Sequence, residues 1–174
     1  MEVVYEEGVY VGYRYFNSFN VKTSYPFGFG LSYTSFDYSN IKLSSPVFTE
    51  SIKVQVTVKN TGKVSGKEVV QLYMAAPANK IDKPTEELKG FAKTKLLKPG
   101  ETEVVYFTLD KKDLASFNKD QSSWVAEEGV YTIKIGNSSE NFLLSGSFNL
   151  KNEIVVEKVS KALVPQVKIN ELKR

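Results

Sequence analysis

Histidine and cysteine are both absent from this sequence. Without histidine there is no Ser-His-Asp or Cys-His catalysis and no His-ligated zinc. Without cysteine there are no disulfides, thiolate nucleophiles or iron–sulfur clusters. The lack of cysteine leaves the compartment open, since cytoplasmic and many secreted bacterial proteins share it. A strong charge bias is also missing. The net charge is +3, and the lysines are spread along the chain. A nucleic-acid partner is therefore not expected, because such binders concentrate their charge in one patch. No apolar run approaches the ~20 residues of a membrane span, so no membrane partner is expected. The acidic start, Met1 to Glu7, has no signal-peptide pattern, and it reads as a truncation point with structure under way at Val3.

What is present points to β structure. Apolar residues make up 41 % of the chain and aromatics 13 %, enough for a real core. Ten Tyr and eleven Phe against two Met favour strands over helices. In 52–58, Ile52, Val54, Val56 and Val58 alternate with Lys53, Gln55 and Thr57, the period of a half-buried strand. Asn60-Thr-Gly62 breaks that pattern, with Gly62 suited to φ > 0, and Val69–Met74 resumes it. The segment 52–74 thus reads as a sandwich hairpin, two strands joined by a polar turn.

Further strands are predicted over 33–43, 52–59, 68–75, 88–97, 103–109, 123–127, 130–136 and 141–150. In the first of these, Phe36 and Tyr38 fall on one parity and Ile41 and Leu43 on the other, which predicts a bulge near Ser39-Asn40. Asp110 is placed to cap one short helical turn. The strands 123–127 and 130–136 read as a hairpin about Glu128-Gly129, and 141–150 reads as the last strand. About seven or eight short strands at roughly ten-residue spacing mark an antiparallel sandwich. Residues 1–30 read as an irregular, aromatic-rich extension, 31–150 as the sandwich, and 151–174 as a linker or edge strand too short to bury a core.

Several blocks carry a resemblance. They are Glu7-Gly-Val-Tyr-Val-Gly-Tyr-Arg-Tyr-Phe16, Tyr25-Pro-Phe-Gly-Phe-Gly-Leu-Ser-Tyr33, Asn60-Thr-Gly62 with Gly66-Lys-Glu-Val-Val-Gln-Leu-Tyr73, Glu87-Leu-Lys-Gly-Phe91, Leu97-Lys-Pro-Gly-Glu101 and Ile135-Gly-Asn-Ser-Ser139. In this order they resemble the C-terminal region of family-three glycoside hydrolases, mostly β-glucosidases. The resemblance covers about residues 5–150. It implies an all-β, immunoglobulin-like (fibronectin type III-like) antiparallel β-sandwich with an irregular aromatic N-terminal extension. It implies a parent chain in which a catalytic barrel and an α/β sandwich domain are the partners of this piece. The family's nucleophile is an Asp in a Ser-Asp-Trp context. Here Trp124 follows Ser122-Ser123 with no Asp between, so no catalytic residue carries over and no cofactor is implied. Residues 154–174 resemble the common pattern less, and Ala162-Leu-Val-Pro165 fits a linker into a barrel that follows.

The same residues offer little chemistry of their own. A glycosidase needs two carboxylates about 5–10 Å apart. Glu6-Glu7, Glu86-Glu87 and Glu127-Glu128 are adjacent pairs that point to opposite faces, and they read as solvated charges. Arg14 among Tyr10, Tyr13, Tyr15 and Phe16 suits either a sugar site or a guanidinium laid on aromatic faces at an interface; the interface reading is preferred. Phe27, Phe29 and Tyr33 suit either a carbohydrate platform or a loop folded back on the sandwich, and the second is preferred. The candidate interdomain residues are therefore Tyr10, Tyr13, Arg14, Tyr15, Phe16, Phe27 and Phe29. Trp124 reads as a core or sheet-packing residue rather than a ligand platform. Asp110, Asp113, Asn118 and Asp120 do not have the spacing of a calcium loop. The functional expectation is a non-catalytic domain bracing the catalytic domains of a β-glucoside hydrolase. The alternative is a carbohydrate- or cell-wall-binding module.

Overall fold

The computed structural model describes residues 3–162, 165 and 167–174. It is an antiparallel sandwich, as expected. The strands are β1 (Phe36–Leu43), β2 (Ser51–Asn60), β3 (Val69–Ala75), β4 (Glu87–Lys93), β5 (Thr102–Asp110), β6 (Ser116–Asn118), β7 (Ser123–Ala126), β8 (Gly129–Gly136), β9 (Phe142–Leu150) and β10 (Ile154–Lys158). Two short helices, α1 (Tyr13–Ser18) and α2 (Lys111–Leu114), accompany them among the described residues.

The alternation in the sequence becomes the core. Ile52, Val54, Val56 and Val58 on β2 are fully buried against Val70, Leu72 and Met74 on β3, and against Tyr131, Ile133 and Ile135 on β8. One sheet runs β1-β2-β5 and the facing one β4-β3-β8-β9. Phe148 of β9 stacks on Tyr131 with ring centroids 5.4 Å apart. The expected bulge is present: the β1–β2 register shifts between Ser39 and Lys42, and Asn40 has φ 54°. Asp110 caps α2 through a capping box with Asp113, so those two carboxylates are spent on backbone amides.

Three expectations are corrected. First, β2 and β3 are not paired: they lie in facing sheets, and the turn between them carries the chain across the sandwich. Asn60 explains this. It is fully buried, its Nδ2 donates to Val64 O and Leu97 O at 2.8 Å, and its Oδ1 accepts from Thr34 Oγ1 at 2.7 Å and Gly62 N at 3.0 Å. Gly62 is needed for close approach rather than for positive φ: a Cβ there would collide with Thr34 Oγ1 and lie 2.7 Å from Ser35 N.

Second, β7 and β8 do not form a hairpin. Both edges of β7 are taken, one by β6 and the other by β10, so β8 pairs instead with β3 and β9. Third, the last strand is β10, beyond Leu150, so part of the tail is an edge strand. The tail then returns to the N-terminal segment, where Leu172 N donates to Glu6 O at 2.7 Å. Of the linker read at Ala162-Leu-Val-Pro165, Leu163 and Val164 lie outside the described residues.

Candidate interdomain face

The N-terminal extension crosses the outer face of β4-β3-β8-β9. It is not wholly irregular: α1 supplies one and a half helical turns, with Gly12 at its N-cap. Residues four apart on a helix share a face. Tyr13 and Asn17 form one such pair, Arg14 and Ser18 the other, and all four reach the sheet or its edge.

Tyr13 lies edge-on over Tyr73 of β3 at 5.8 Å, and its hydroxyl accepts from Leu88 N at 2.8 Å. Arg14 pairs with the Glu87 carboxylate at 2.9 Å, so its partner is an acid rather than the aromatic faces expected for it. Asn17 Nδ2 donates to Glu86 Oε1 at 2.8 Å and to Ser139 O at 2.6 Å. Ser18 Oγ accepts from Thr85 N at 3.1 Å.

Upstream of the helix, Tyr10 is buried. Its hydroxyl donates to Lys83 O at 3.2 Å, and its ring meets Phe19 edge-on at 5.1 Å. Burial, reinforced by Asp82 alongside, pushes its phenol up to about 12. Tyr15 and Phe16 are half-buried and touch edge to face at 5.5 Å. Downstream, Phe27 O accepts from Ser139 N at 2.9 Å and Gly28 O from Gln71 Nε2 at 3.2 Å. Gly28 has φ +81°, and a Cβ there would run into the Gln71 carboxamide. Gln71 is itself buried and accepts from Tyr73 OH at 2.6 Å, which orients it toward the loop.

The loop backbone therefore docks on the sandwich, while its side chains do not. Phe27 stacks on Tyr13 at 5.0 Å but remains 51 % exposed, and Phe29 packs on Tyr25 and remains 49 % exposed. Leu31 is 94 % exposed and Tyr33 wholly so. The expectation of a loop folded back on the sandwich holds for its main chain and is corrected for its rings. Of the two packing roles read for Trp124, the structure shows the sheet-packing one: it tilts against Phe117 of β6 at 5.5 Å and stays outside the core.

The acidic pairs also need correction. Glu86 and Glu127 are buried, not solvated. Glu86 pairs with Lys134 at 2.8 Å. Glu127 pairs with Lys83 at 2.5 Å and accepts from Lys80 N at 2.7 Å, while Lys83 Nζ also donates to Pro77 O at 2.7 Å. Each carboxylate already holds a cation, so none is poised as a general base. Glu68 is a further half-buried acid, and burial raises its carboxyl above the usual range. Among the described residues no cluster of three or more acidic side chains is arranged to hold a metal ion.

Sequence reasoning missed Asn17, Gln71, Lys83 and Ser139, and took the buried Glu86 and Glu127 for solvated charges. The helical spacing of Tyr13 and Asn17 was the one local signal available. The partners of the others lie far away in the chain.

Comparison with known proteins places this architecture. Residues 68–139 match the model of the fibronectin type III-like domain. The chain is 42 % identical over 158 residues to thermostable beta-glucosidase B of Acetivibrio thermocellus, covering 90 % of this chain and 21 % of that protein. It superposes on beta-glucosidase 3B from Thermotoga neapolitana with a TM-score of 0.83 at 50 % identity, covering 87 % of this chain and 21 % of that one. For a beta-glucosidase from Paenibacillus barengoltzii the TM-score is 0.85 at 40 % identity, over 94 % of this chain and 19 % of that one. The chain spans about a fifth of the length of the curated relatives it matches. It carries a fibronectin type III-like domain, and its sequence and fold match about a fifth of the length of family-three β-glucosidases.

Proposed function

We propose that this domain braces the catalytic domains of a longer hydrolase that cleaves β-linked glucosides. The observation that carries the reading is the two-sided N-terminal segment. Its polar groups and the rings of Tyr10 and Tyr13 hold it to its own sheet, while Phe27, Phe29, Leu31 and Tyr33 face outward. A run of exposed apolar side chains on a rigidly docked loop marks a contact surface. In a chain that spans a fifth of its relatives, the covering partner is the remainder of the same polypeptide.

Tyr10, Tyr13, Arg14, Tyr15 and Phe16 act from beneath by fixing the loop, and Phe27 and Phe29 act by contact. Burying the exposed half of each Phe ring contributes roughly 1 kcal/mol at ~25 cal/mol per Å². The test is the double variant Phe27→Ser/Phe29→Ser, made both in this chain and in the full-length protein. The isolated chain keeps its melting temperature, while the full-length protein loses thermal stability and, with it, the half-life of its β-glucoside hydrolysis. Equal effects in the two settings sink the proposal.

A further inference from the structure

One half-buried acid differs from its neighbours. Glu86 holds Lys134, Glu87 holds Arg14, and Glu127 holds Lys83. Glu68, just ahead of β3, forms no ion pair among the described residues. Its Oε1 accepts from Val69 N at 2.9 Å, and the Tyr38 phenol of β1 lies alongside. Lys67 beside it in sequence and Lys93 opposite Val69 on β4 are both exposed, and neither pairs with it. Burial therefore holds the Glu68 carboxyl above its usual range, with no cation to bring it back. A carboxylate withdrawn from water without a counter-ion costs stability, and an arriving cation offsets that cost.

Glu68 can be reached from outside. It lines a cleft of about 500 Å³ between the loop 26–36 and the turn 137–141. Glu140 lines the same cleft, exposed and bonded to Thr23 Oγ1 at 2.9 Å. The described lining thus holds two carboxylates and no lysine or arginine, and its other polar side chains, such as Thr34 and Asn137, are neutral. A field of one sign draws a group of the other. Phe29 and Leu31 also line the cleft and are exposed. An aromatic face favours a cation, and an apolar wall suits the methylene stem of a long basic side chain. Both residues belong to the outward-facing run of the N-terminal loop, so whatever lies on that run also lies over the cleft.

We infer that this cleft receives an arginine or lysine side chain from the remainder of the same polypeptide, with Glu68 as its counter-ion. The head group donates to the Glu68 carboxylate, and the stem lies along Leu31 and Phe29. The inference deepens the bracing reading and rests on it. The exposed rings supply apolar contact, which is non-directional. One ion pair set into the cleft fixes the angle at which the covering domain sits.

The test is Glu68→Gln, made in this chain and in the full-length protein, with melting followed between pH 4 and pH 7. In this chain the variant melts at the same or a slightly higher temperature at pH 7. In the full-length protein it melts several degrees lower at pH 7 and inactivates about tenfold faster on heating, the range of one charge-assisted hydrogen bond. The partner's cation holds the folded Glu68 carboxyl down, so its contribution is present above the unfolded pKa and is lost as pH falls. The gap between full-length wild type and variant therefore narrows toward pH 4. Glu50→Gln, at an exposed acid ahead of β2, changes neither protein. Full-length stability that is unchanged or raised by Glu68→Gln, an equal loss in both proteins, or a gap that does not vary with pH overturns the inference. If Phe27→Ser/Phe29→Ser weakens the full-length protein alone and Glu68→Gln does not, bracing stands and the cation falls. Equal effects of both substitutions in the two settings remove both readings together.

Discussion

The sandwich interior and the N-terminal extension are held by opposite means. Between the sheets, β2, β3 and β8 interlock through aliphatic side chains that are fully buried and make no side-chain hydrogen bonds. Beneath the extension, most contacts are polar: Arg14 to Glu87, Asn17 to Glu86, Ser18 to Thr85, Gln71 to Gly28. Aliphatic burial is non-directional and tolerates sliding. Polar pairs fix position and orientation but contribute little net energy each. The interior thus supplies stability, and the extension supplies geometry for whatever it meets.

The sharpest way to break this contrast is at the point where the two regimes meet. The Lys83–Glu127 pair is buried under the loop that receives Tyr10. Lys83→Met leaves the buried Glu127 carboxylate without its cation, held only by Lys80 N, and costs about 3–5 kcal/mol in urea unfolding. The double variant Lys83→Met/Glu127→Leu recovers most of that loss. If the single and double variants are equally unstable, the pair is not acting through unpaired charge.

Next in size is the interior itself. Leu72→Ala opens a cavity between the sheets and costs about 2–5 kcal/mol with an unchanged denaturant slope. A loss below about 1 kcal/mol would mean that the core collapses around the cavity, contrary to its tight packing. A smaller effect is expected from Tyr13→Phe. It removes the hydroxyl that accepts from Leu88 N and costs about 1 kcal/mol, confined to the extension. Hydrogen exchange reads this directly: protection at Leu88 falls while that at Ile133 stays.

The smallest effect depends on pH. Glu68 titrates above its usual range in the fold because burial disfavours its charged form. Its stability contribution is therefore complete below the unfolded carboxyl's pKa and is lost as pH rises through the raised value. Glu68→Gln has no such loss. The variant therefore melts at a slightly higher temperature than the parent at pH 7 and at nearly the same temperature at pH 3.5. A constant difference across that range removes the titration of Glu68 as the cause.

The interior was legible in the sequence and the extension was not, for one physical reason. Interior strands write their burial locally, as alternation, so β2, β5 and β8 could be read directly, and the parity change between Tyr38 and Ile41 revealed the β1 bulge. The polar contacts are written in pairs of distant residues. Glu86 meets Lys134, and Glu127 meets Lys83, across dozens of intervening positions, so each acid looked solvated. Helix α1 has six residues, an N-cap glycine with no side-chain cap and several aromatics, and so carries none of the usual start signals. The β7–β8 hairpin was misread because the strand that displaces it, β10, lies in the tail.

Asn60 carries a consequence for anyone who would cut or extend this domain. Its carboxamide ties together backbone or side chain from Thr34, Gly62, Val64 and Leu97. Three separate connections are knotted to one side chain, so their lengths are locked to each other. A residue inserted at 61–65 or beside Leu97 pulls a donor or acceptor away and unties all three. The turn at Lys98–Gly100 belongs to the same knot, since Gly100 N donates to Asn60 O at 2.8 Å and Asn60 N to Glu101 O at 3.0 Å. Tags, labels and graft points therefore belong away from 60–66 and from 97–101, the two stretches whose lengths Asn60 holds in step.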